Sequence, residues 1–297
     1  MKSILSVLLV LLCVIAASAY FIMQPGLLHS VTPAVLRVGI LPDSSVDSLH
    51  QRYDPLLDYL SAETGLEYKL VLPENYAALI RLFRDREVDL AYFGGFTFVR
   101  AQTFYGARPL VMREIDTRFT SLFLVRGDDS ALDLADFKDK TFSFGSELST
   151  SGHLMPRHFM QVEKQIVPEQ FFSEIQYSGA HDKTAYLVRD GKVDLGVANV
   201  EIIIAMIKDG RLKQGEISTL WQTPPYPDYV WVVHDNLDED VVTPLRNAFL
   251  KLDMNNKDHN KVLSRLGARF FLPAAAGDFM RLKRIAESLG LLQEESR

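Results

Sequence analysis

The stretch RDREVDL at residues 84–90 recurs farther along the chain as RDGKVDL at residues 189–195. Each copy places a polar, turn-forming segment before an apolar run, which is typical of a helix end that leads into a strand. Two lobes of similar construction would contain such a pair of matching segments. The alternative interpretation is that two unrelated helix-turn-strand connections have similar sequences by chance. The repeat favours two lobes of similar construction.

The rest of the body alternates short β-rich runs with amphipathic helical stretches. Tyr53, Leu56, Leu57 and Leu60 fall at helical spacing, and Gly65 is placed to end that helix. Strands are predicted at 35–41, 68–72, 88–93, 122–125, 141–144, 174–177 and 193–198. The pattern predicts an α/β fold in which each lobe is a mixed, mostly parallel sheet flanked by helices.

Two crossings of the chain are expected to join the lobes. The first is predicted near 118–121 and the return between 222 and 230, where Pro224, Pro225 and Pro227 favour rigid, extended backbone. Lobe 1 is then expected to comprise residues 35–119 and 229–297, and lobe 2 residues 120–228. Late helices are expected at 239–251, 257–266 and 278–289, packed on lobe 1.

The first residues have the composition of an export signal. Lys2 precedes an uncharged run at 3–24, and Ala-Ser-Ala at 17–19 has the small-x-small form of a signal-peptidase site. The run at 4–23 is also long enough to span a bilayer. Residues 1–24 are therefore predicted to be a signal peptide or an uncleaved membrane anchor, and either places the body in the periplasm.

Charge and motifs exclude several classes of function. The formal net charge is -6 and no Lys/Arg-rich block is present, which argues against nucleic acid as a partner. The sequence has no Gly-rich phosphate loop ending in Lys-Ser/Thr and no Gly-x-Ser-x-Gly elbow, and His153 and His158 are not at metal-ligand spacing. Cys13, the only cysteine, lies in the leader. We therefore expect no catalytic residue, no metal and no cofactor.

A hydroxyl cluster is the most informative candidate site. In FGSELSTSGH at 144–153, a predicted strand end is followed by Ser149, Thr150 and Ser151 at the start of a helical pattern. Unpaired N–H groups and a partial positive charge at a helix start bind oxyanions, and Gly152 lets a ligand come close. An ordinary N-cap, which needs one hydroxyl, is the alternative.

Three further side chains are candidates for the same anion. His181 lies at a second strand end before a helix and could donate an imidazole N–H. Tyr76 and Tyr92 lie at strand ends and offer phenolic donors. Surface capping for the histidine and core packing for the tyrosines remain open as alternatives.

Two carboxylates, Glu201 and Asp228, are placed at lobe edges, next to strands. In a cleft they would repel a bare anion and hold an ammonium group. A first-turn Glu and a loop Asp without function are the alternative interpretations.

The sequence resembles the phosphonate-binding periplasmic proteins of ABC importers, a branch of the type II solute-binding (Venus flytrap) fold. The resemblance runs from Val38-Gly39-Ile40 to a segment at 263–267. Its most specific segments are Asn75-Tyr76-Ala77, Tyr92-Phe93-Gly94, Leu148-Ser149-Thr150-Ser151-Gly152, Gly179-Ala180-His181-Asp182 and Pro227-Asp228-Tyr229-Val230-Trp231. Gly95 and Phe98 stand where many relatives have Pro and Tyr.

The resemblance implies a site and a ligand class. Ser149, Thr150, Ser151 and His181 of lobe 2 would bind the phosphonate, with Tyr76 and Tyr92 facing them from lobe 1. Glu201 and Asp228 match the carboxylates that hold the amino group of 2-aminoethylphosphonate, which is therefore the favoured ligand.

Partners and alternatives follow from the same resemblance. An ABC permease in the inner membrane is the expected partner, and we expect a monomer. Binding of phosphate, phosphite or another oxyanion, or a role as ligand-sensing subunit for a membrane kinase or receptor, remain alternatives.

Overall fold

The computed structural model describes residues 35–294. The predicted leader at 1–24, its alternative role as an anchor through 4–23, and Cys13 lie outside these residues. Within the described range, no helix combines the length and the apolar character needed to span a membrane.

The described residues form eleven strands and ten α-helices. The strands are β1 (Val35–Ile40), β2 (Glu67–Val71), β3 (Leu90–Phe93), β4 (Ala107–Arg113), β5 (Ser121–Arg126), β6 (Thr141–Phe144), β7 (Glu174–Tyr177), β8 (Leu195–Asn199), β9 (Ile217–Gln222), β10 (Val230–His234) and β11 (Phe271–Pro273). The helices are α1 (Val46–Thr64), α2 (Tyr76–Arg84), α3 (Gly95–Tyr105), α4 (Met155–Lys164), α5 (Pro168–Phe171), α6 (His181–Arg189), α7 (Val200–Lys208), α8 (Glu239–Lys251), α9 (Lys257–Leu266) and α10 (Met280–Ser288).

The strands form two sheets, and each sheet with its helices is a lobe. The first sheet, in lobe 1, has the order β11-β4-β10-β3-β1-β2, and the second sheet, in lobe 2, the order β7-β6-β8-β5-β9. β1 pairs in parallel with β2 and β3, as β6 does with β7 and β8. β10 and β5 then join antiparallel at equivalent places. The expected two-lobed α/β fold is confirmed.

Both sheets are mixed, but parallel pairs are fewer than expected. Among the described strands, four of nine pairings are parallel. Strands β5 and β10 follow β4 and β9 of the other lobe directly. They are not reached through a helix packed on their own sheet, the connection that parallel neighbours require.

The two copies of the repeat occupy matching positions in the two lobes. Residues 84–90 lead from the end of α2 into β3, and residues 189–195 lead from the end of α6 into β8. All residues of β3 and β8 are buried, as befits central strands covered on both faces. The helix-to-strand interpretation of the repeat is therefore confirmed.

Local signals in the sequence set several helix ends. Gly65 ends α1 in the left-handed region, with φ of 71°, where a glycine carries no Cβ penalty. Asn75 caps α2 by accepting the Ala78 N–H at 2.8 Å. The two predicted helices at 239–251 and 257–266 have the expected bounds. The third is a 3-10 turn, Ala276–Phe279, that continues into α10.

Four strands, β4, β9, β10 and β11, are absent from the predicted strand ranges, although a strand is expected next to Asp228, where β10 begins. β10 is a run of five buried residues without alternation, so period-2 patterning does not identify it. β4 contains Pro109, which removes a ladder donor and weakens the strand signal. Both strands receive their stability from neighbours that are distant in sequence.

The chain crosses between the lobes twice, and the crossings lie side by side. Phe119 and Tyr226 exchange two backbone hydrogen bonds, of 2.7 and 3.0 Å. The Asp228 N–H also donates to the Asp116 carbonyl at 2.9 Å. The predicted boundaries fall within these connections, and we retain 35–119 with 229–297 and 120–228 as proposed lobe limits.

Candidate ligand-binding cleft

The predicted hydroxyl cluster begins a helix that is buried between the lobes. Ser149 accepts the Gly152 N–H on its Oγ at 2.9 Å, and Thr150–Leu154 form one π turn that continues into α4. All three hydroxyl residues are at most 2% exposed. Because the first N–H groups of a helix have no intrahelical acceptor, the turn offers donors to an oxyanion in a dry environment.

Pro156 removes one backbone hydrogen bond from this helix. A proline in the second turn leaves the carbonyl four residues earlier, that of Gly152, without its helical donor. The Gly145 N–H donates to that carbonyl at 2.8 Å, so the loop before the cluster replaces the missing bond. An added Cβ at Gly152 would lie 2.9 Å from His181 Cε1, which explains the glycine.

Two hydroxyls at the cluster are buried without a hydrogen bond of normal geometry. They are Ser151 Oγ and the phenol of Tyr76, the first residue of α2. A buried polar group left unpaired costs free energy, and in natural structures it commonly marks a place where water or ligand binds. Burial raises the pKa of Tyr76 well above 10, so its hydroxyl stays a donor.

His181 also faces the cluster, in a defined tautomer. Its Nδ1 accepts the Asn199 N–H at 3.2 Å, so the ring proton lies on Nε2, 3.5 Å from Ser149 Oγ. Burial lowers the pKa of His181 to about 3, which keeps the ring neutral. The histidine therefore contributes a neutral N–H donor.

Thr150 connects the two lobes across the cleft. Its Oγ1 accepts the Phe96 N–H at 2.9 Å, and Thr97 Oγ1 donates to the Leu148 carbonyl at 3.1 Å. Phe96 and Thr97 lie in the first turn of α3, on lobe 1. The starts of a lobe 1 helix and a lobe 2 helix thus meet, as in a closed conformation.

Asp228 lies at the same meeting point, with 1% of its surface exposed. Its Oδ1 accepts the Gly95 N–H at 2.9 Å, whereas Oδ2 is buried and makes no hydrogen bond of normal geometry among residues 35–294. Burial raises its pKa to about 7, against the opposing effect of the neighbouring Thr150 and Ser151 hydroxyls and the Gly95 N–H. The carboxyl of Asp228 therefore lies next to the hydroxyl cluster, where the oxyanion is expected to bind.

Tyr92 has different neighbours from those expected. Its hydroxyl donates to Asp116 Oδ2 at 3.4 Å, and its ring stacks on Tyr229 with centroids 5.2 Å apart. Asp116 is in turn paired with Arg113 at 2.6 Å in a buried ion pair. The Tyr92 hydroxyl is thus engaged with Asp116 rather than with the hydroxyl cluster.

Glu201 is half-buried in the first turn of α7. Burial raises its pKa, while the charge of Arg113 lowers it. Its Oε2 lies 3.3 Å from where a Cβ on Gly267 would be. The structure brings together the hydroxyl cluster, His181, Tyr76 and Asp228. The Tyr92 hydroxyl instead contacts Asp116, and Glu201 is influenced by the charge of Arg113.

Sequence reasoning missed three polar residues that hold the cleft together. Tyr229 accepts from Asn199 Nδ2 at 2.9 Å and donates to Asp43 Oδ2 at 3.2 Å. Asn199 ends β8 and Asp43 closely follows β1. A polar residue at the carboxyl end of a strand in an α/β sheet is the signal that would have indicated both.

Known proteins resemble this chain in sequence and in fold. Residues 38–279 match the family of periplasmic substrate-binding proteins of phosphonate ABC transporters. A probable phosphite-binding protein of an ABC transporter from Prochlorococcus marinus is 30% identical, over 92% of this chain and 98% of its own length. A phosphate-import protein from Mycolicibacterium smegmatis is 28% identical, over 76% of this chain and 74% of its own length.

A solved structure of the Prochlorococcus protein, in complex with methylphosphonate, superposes with a TM-score of 0.81 over 87% of this chain and 99% of that one. The two-lobed fold and the extent of the sequence match agree, and these relatives carry the names of binding and import proteins. The chain belongs to the family of periplasmic phosphonate-binding proteins of ABC transporters.

Proposed function

We propose that this chain captures a small phosphonate between its lobes and delivers it to an ABC permease in the inner membrane. The observation that carries the proposal is the buried helix start at Ser149, Thr150 and Ser151, where the Ser151 and Tyr76 hydroxyls make no hydrogen bond of normal geometry within the described residues. A tetrahedral oxyanion there would accept from these hydroxyls, from His181 and from backbone N–H groups.

Closure of the lobes is proposed to follow capture. The contact of Thr150 with Phe96 joins the two helix starts only when the lobes are together. An anion bound between them adds contacts that the open form lacks, so it shifts the population toward the closed form. The closed form is the one expected to dock on the permease.

The ligand within the phosphonate class is a separate question. The sequence favours 2-aminoethylphosphonate because both Glu201 and Asp228 are acidic. In the structure, Asp228 adjoins the Thr150 and Ser151 hydroxyls, whereas Glu201 is close to Arg113. These positions support binding of an alkylphosphonate or phosphite at least as well as binding of 2-aminoethylphosphonate. The name of the Prochlorococcus relative favours phosphite as the second candidate.

A calorimetric panel separates these ligands. We expect one site per chain for methylphosphonate, phosphite, phosphate or 2-aminoethylphosphonate, and the tightest binder identifies the ligand. If an ammonium site exists, Glu201→Gln weakens only 2-aminoethylphosphonate. Equal losses for methylphosphonate would contradict that role, and no binding of any of the four would contradict the proposed function.

The proposal also covers the export of the chain and its oligomeric state. The leader at 1–24 is proposed to direct the chain to the periplasm, where the family acts, either as a cleaved signal peptide or as an anchor through 4–23. The binding unit is proposed to act as a monomer, and it is proposed to need no metal, no cofactor and no catalytic residue.

A further inference from the structure

The position of Asp228 presents an electrostatic problem at the proposed anion site. Its carboxyl is buried next to the Thr150 and Ser151 hydroxyls, and its Oδ2 makes no hydrogen bond of normal geometry in the described part of the chain. A bound oxyanion held by the same hydroxyls would place a second negative group beside that oxygen. Two buried negative groups in contact repel strongly, and one proton shared between them replaces repulsion by a hydrogen bond.

We propose that Asp228 Oδ2 shares one proton with an oxygen of the bound ligand, which makes the cleft selective for oxyanions that can carry a proton near neutral pH. This inference rests on the proposed function. Phosphonates, phosphite and phosphate qualify, whereas sulfonates and sulfate remain fully ionised. The proton balance is the same by either route: ionised Asp228 accepts from a P–O–H group, or protonated Asp228 donates to P–O⁻.

The surroundings of the carboxyl fit this role. Burial is the largest effect, and it raises the pKa of Asp228 to about 7, with a further upward effect from the charge of Asp116. The hydroxyls of Thr150 and Ser151 and the Gly95 N–H act in the opposite direction. The charge of Asp228 also raises the pKa of three buried phenols, those of Tyr76, Tyr226 and Tyr229.

Because the carboxyl and the ligand titrate as a pair, the bound state holds one proton over a wide pH range. Above the pKa values of both free groups, binding must take up that proton from solution. The dissociation constant for a phosphonate should then rise about tenfold per pH unit, by proton linkage. A sulfonate can bind only when Asp228 itself carries the proton.

The test measures proton uptake and selectivity together. Purified full-length chain is titrated with methylphosphonate and methanesulfonate at about pH 6.5 and about pH 8.5, each in two buffers of different ionisation enthalpy. We expect close to one proton taken up per methylphosphonate at the higher pH. Asp228→Asn, whose amide donates permanently, should take up none and should bind methanesulfonate at least about tenfold more tightly than the wild type.

Asp182→Asn is the matched control, because Asp182 is also a largely buried carboxyl with a raised pKa, and the charged groups that act on that pKa are Arg211 and Lys183 rather than Asp228. It should leave proton uptake and sulfonate affinity unchanged. Methylphosphonate binding without proton uptake overturns the inference and leaves the proposed function intact. Absence of binding of methylphosphonate, phosphite, phosphate and 2-aminoethylphosphonate at both pH values overturns the proposed function. If Asp228→Asn does not fold, proton uptake by the wild type decides.

Discussion

The Asn199 N–H donates to His181 Nδ1 at 3.2 Å, and this bond places the ring proton on Nε2, which faces Ser149. The pair comes from two strand ends, since Asn199 closes β8 and His181 opens the helix before it. The histidine is therefore oriented by the backbone and needs no charged partner. Burial lowers the pKa of His181 to about 3, so above about pH 4 the ring stays neutral and Nδ1 remains the acceptor that fixes the proton on Nε2.

Removing this donor should weaken binding of the anion. His181→Phe retains the ring volume and deletes the Nε2–H, and we expect the dissociation constant for methylphosphonate to rise about 10- to 100-fold, the usual effect of losing a hydrogen bond to a charged group. Calorimetry measures the change. His158→Phe, at a half-buried position of α4 outside the cluster, is the control, and equal effects of the two changes would contradict the role of His181.

Ser151→Ala tests the unpaired hydroxyl directly. Deleting Ser151 Oγ removes one donor to the oxyanion, so affinity for every phosphonate should fall by about tenfold with little loss of stability. Ser146→Ala is the matched control in the same loop, where the hydroxyl accepts the Leu148 N–H at 3.3 Å. Unchanged binding by Ser151→Ala would exclude this hydroxyl from the site.

Thr150 should act mainly on closure. Thr150→Val removes the acceptor of the Phe96 N–H and leaves that group buried and unpaired in the closed form, so ligand dissociation should accelerate by about tenfold. Thr150→Ser keeps the oxygen and should dissociate like the wild type. Stopped-flow displacement distinguishes the two, and identical rates for Val and Ser would contradict the contact.

Stability should depend on pH through Asp228 with a definite sign. Its pKa is raised to about 7 in the folded state from 3.8, so the folded state binds more protons between these values. The free energy of unfolding therefore loses this contribution as pH rises toward 7. Asp228→Asn cannot titrate, so it does not lose this stability. The difference in free energy of unfolding between the variant and the wild type should grow in favour of the variant by about 1 kcal/mol per pH unit between pH 5 and 7. Parallel pH profiles in urea denaturation would contradict the raised pKa.

The sequence allowed prediction of features with local causes. The helix start at Ser149 depends on a hydroxyl cap within a few residues, and the end of α1 depends on Gly65 alone. The repeat at 84–90 and 189–195 indicated two lobes of similar construction, because each copy forms the turn that connects a helix to a central strand. In each case the signal and the structure lie within one segment.

Features that arise from distant segments could not be predicted in the same way. Asp228 meets Gly95 and Thr150 only because the return crossing passes between the two helix starts. Tyr92 turns its hydroxyl to Asp116, a residue of the 3-10 turn after β4, a strand that was itself not predicted. Residue type alone indicates a donor or a carboxylate, but its partner depends on the tertiary arrangement.

A crystal structure of the chain grown with methylphosphonate tests most directly whether the hydroxyl cluster is the phosphonate site. We predict the phosphonate oxygens within hydrogen-bond distance of the Ser149 and Ser151 hydroxyls, the Tyr76 hydroxyl and His181 Nε2, with Asp228 Oδ2 on one oxygen. A phosphonate bound elsewhere, or a cleft that closes without any ligand at the π turn, would contradict this assignment.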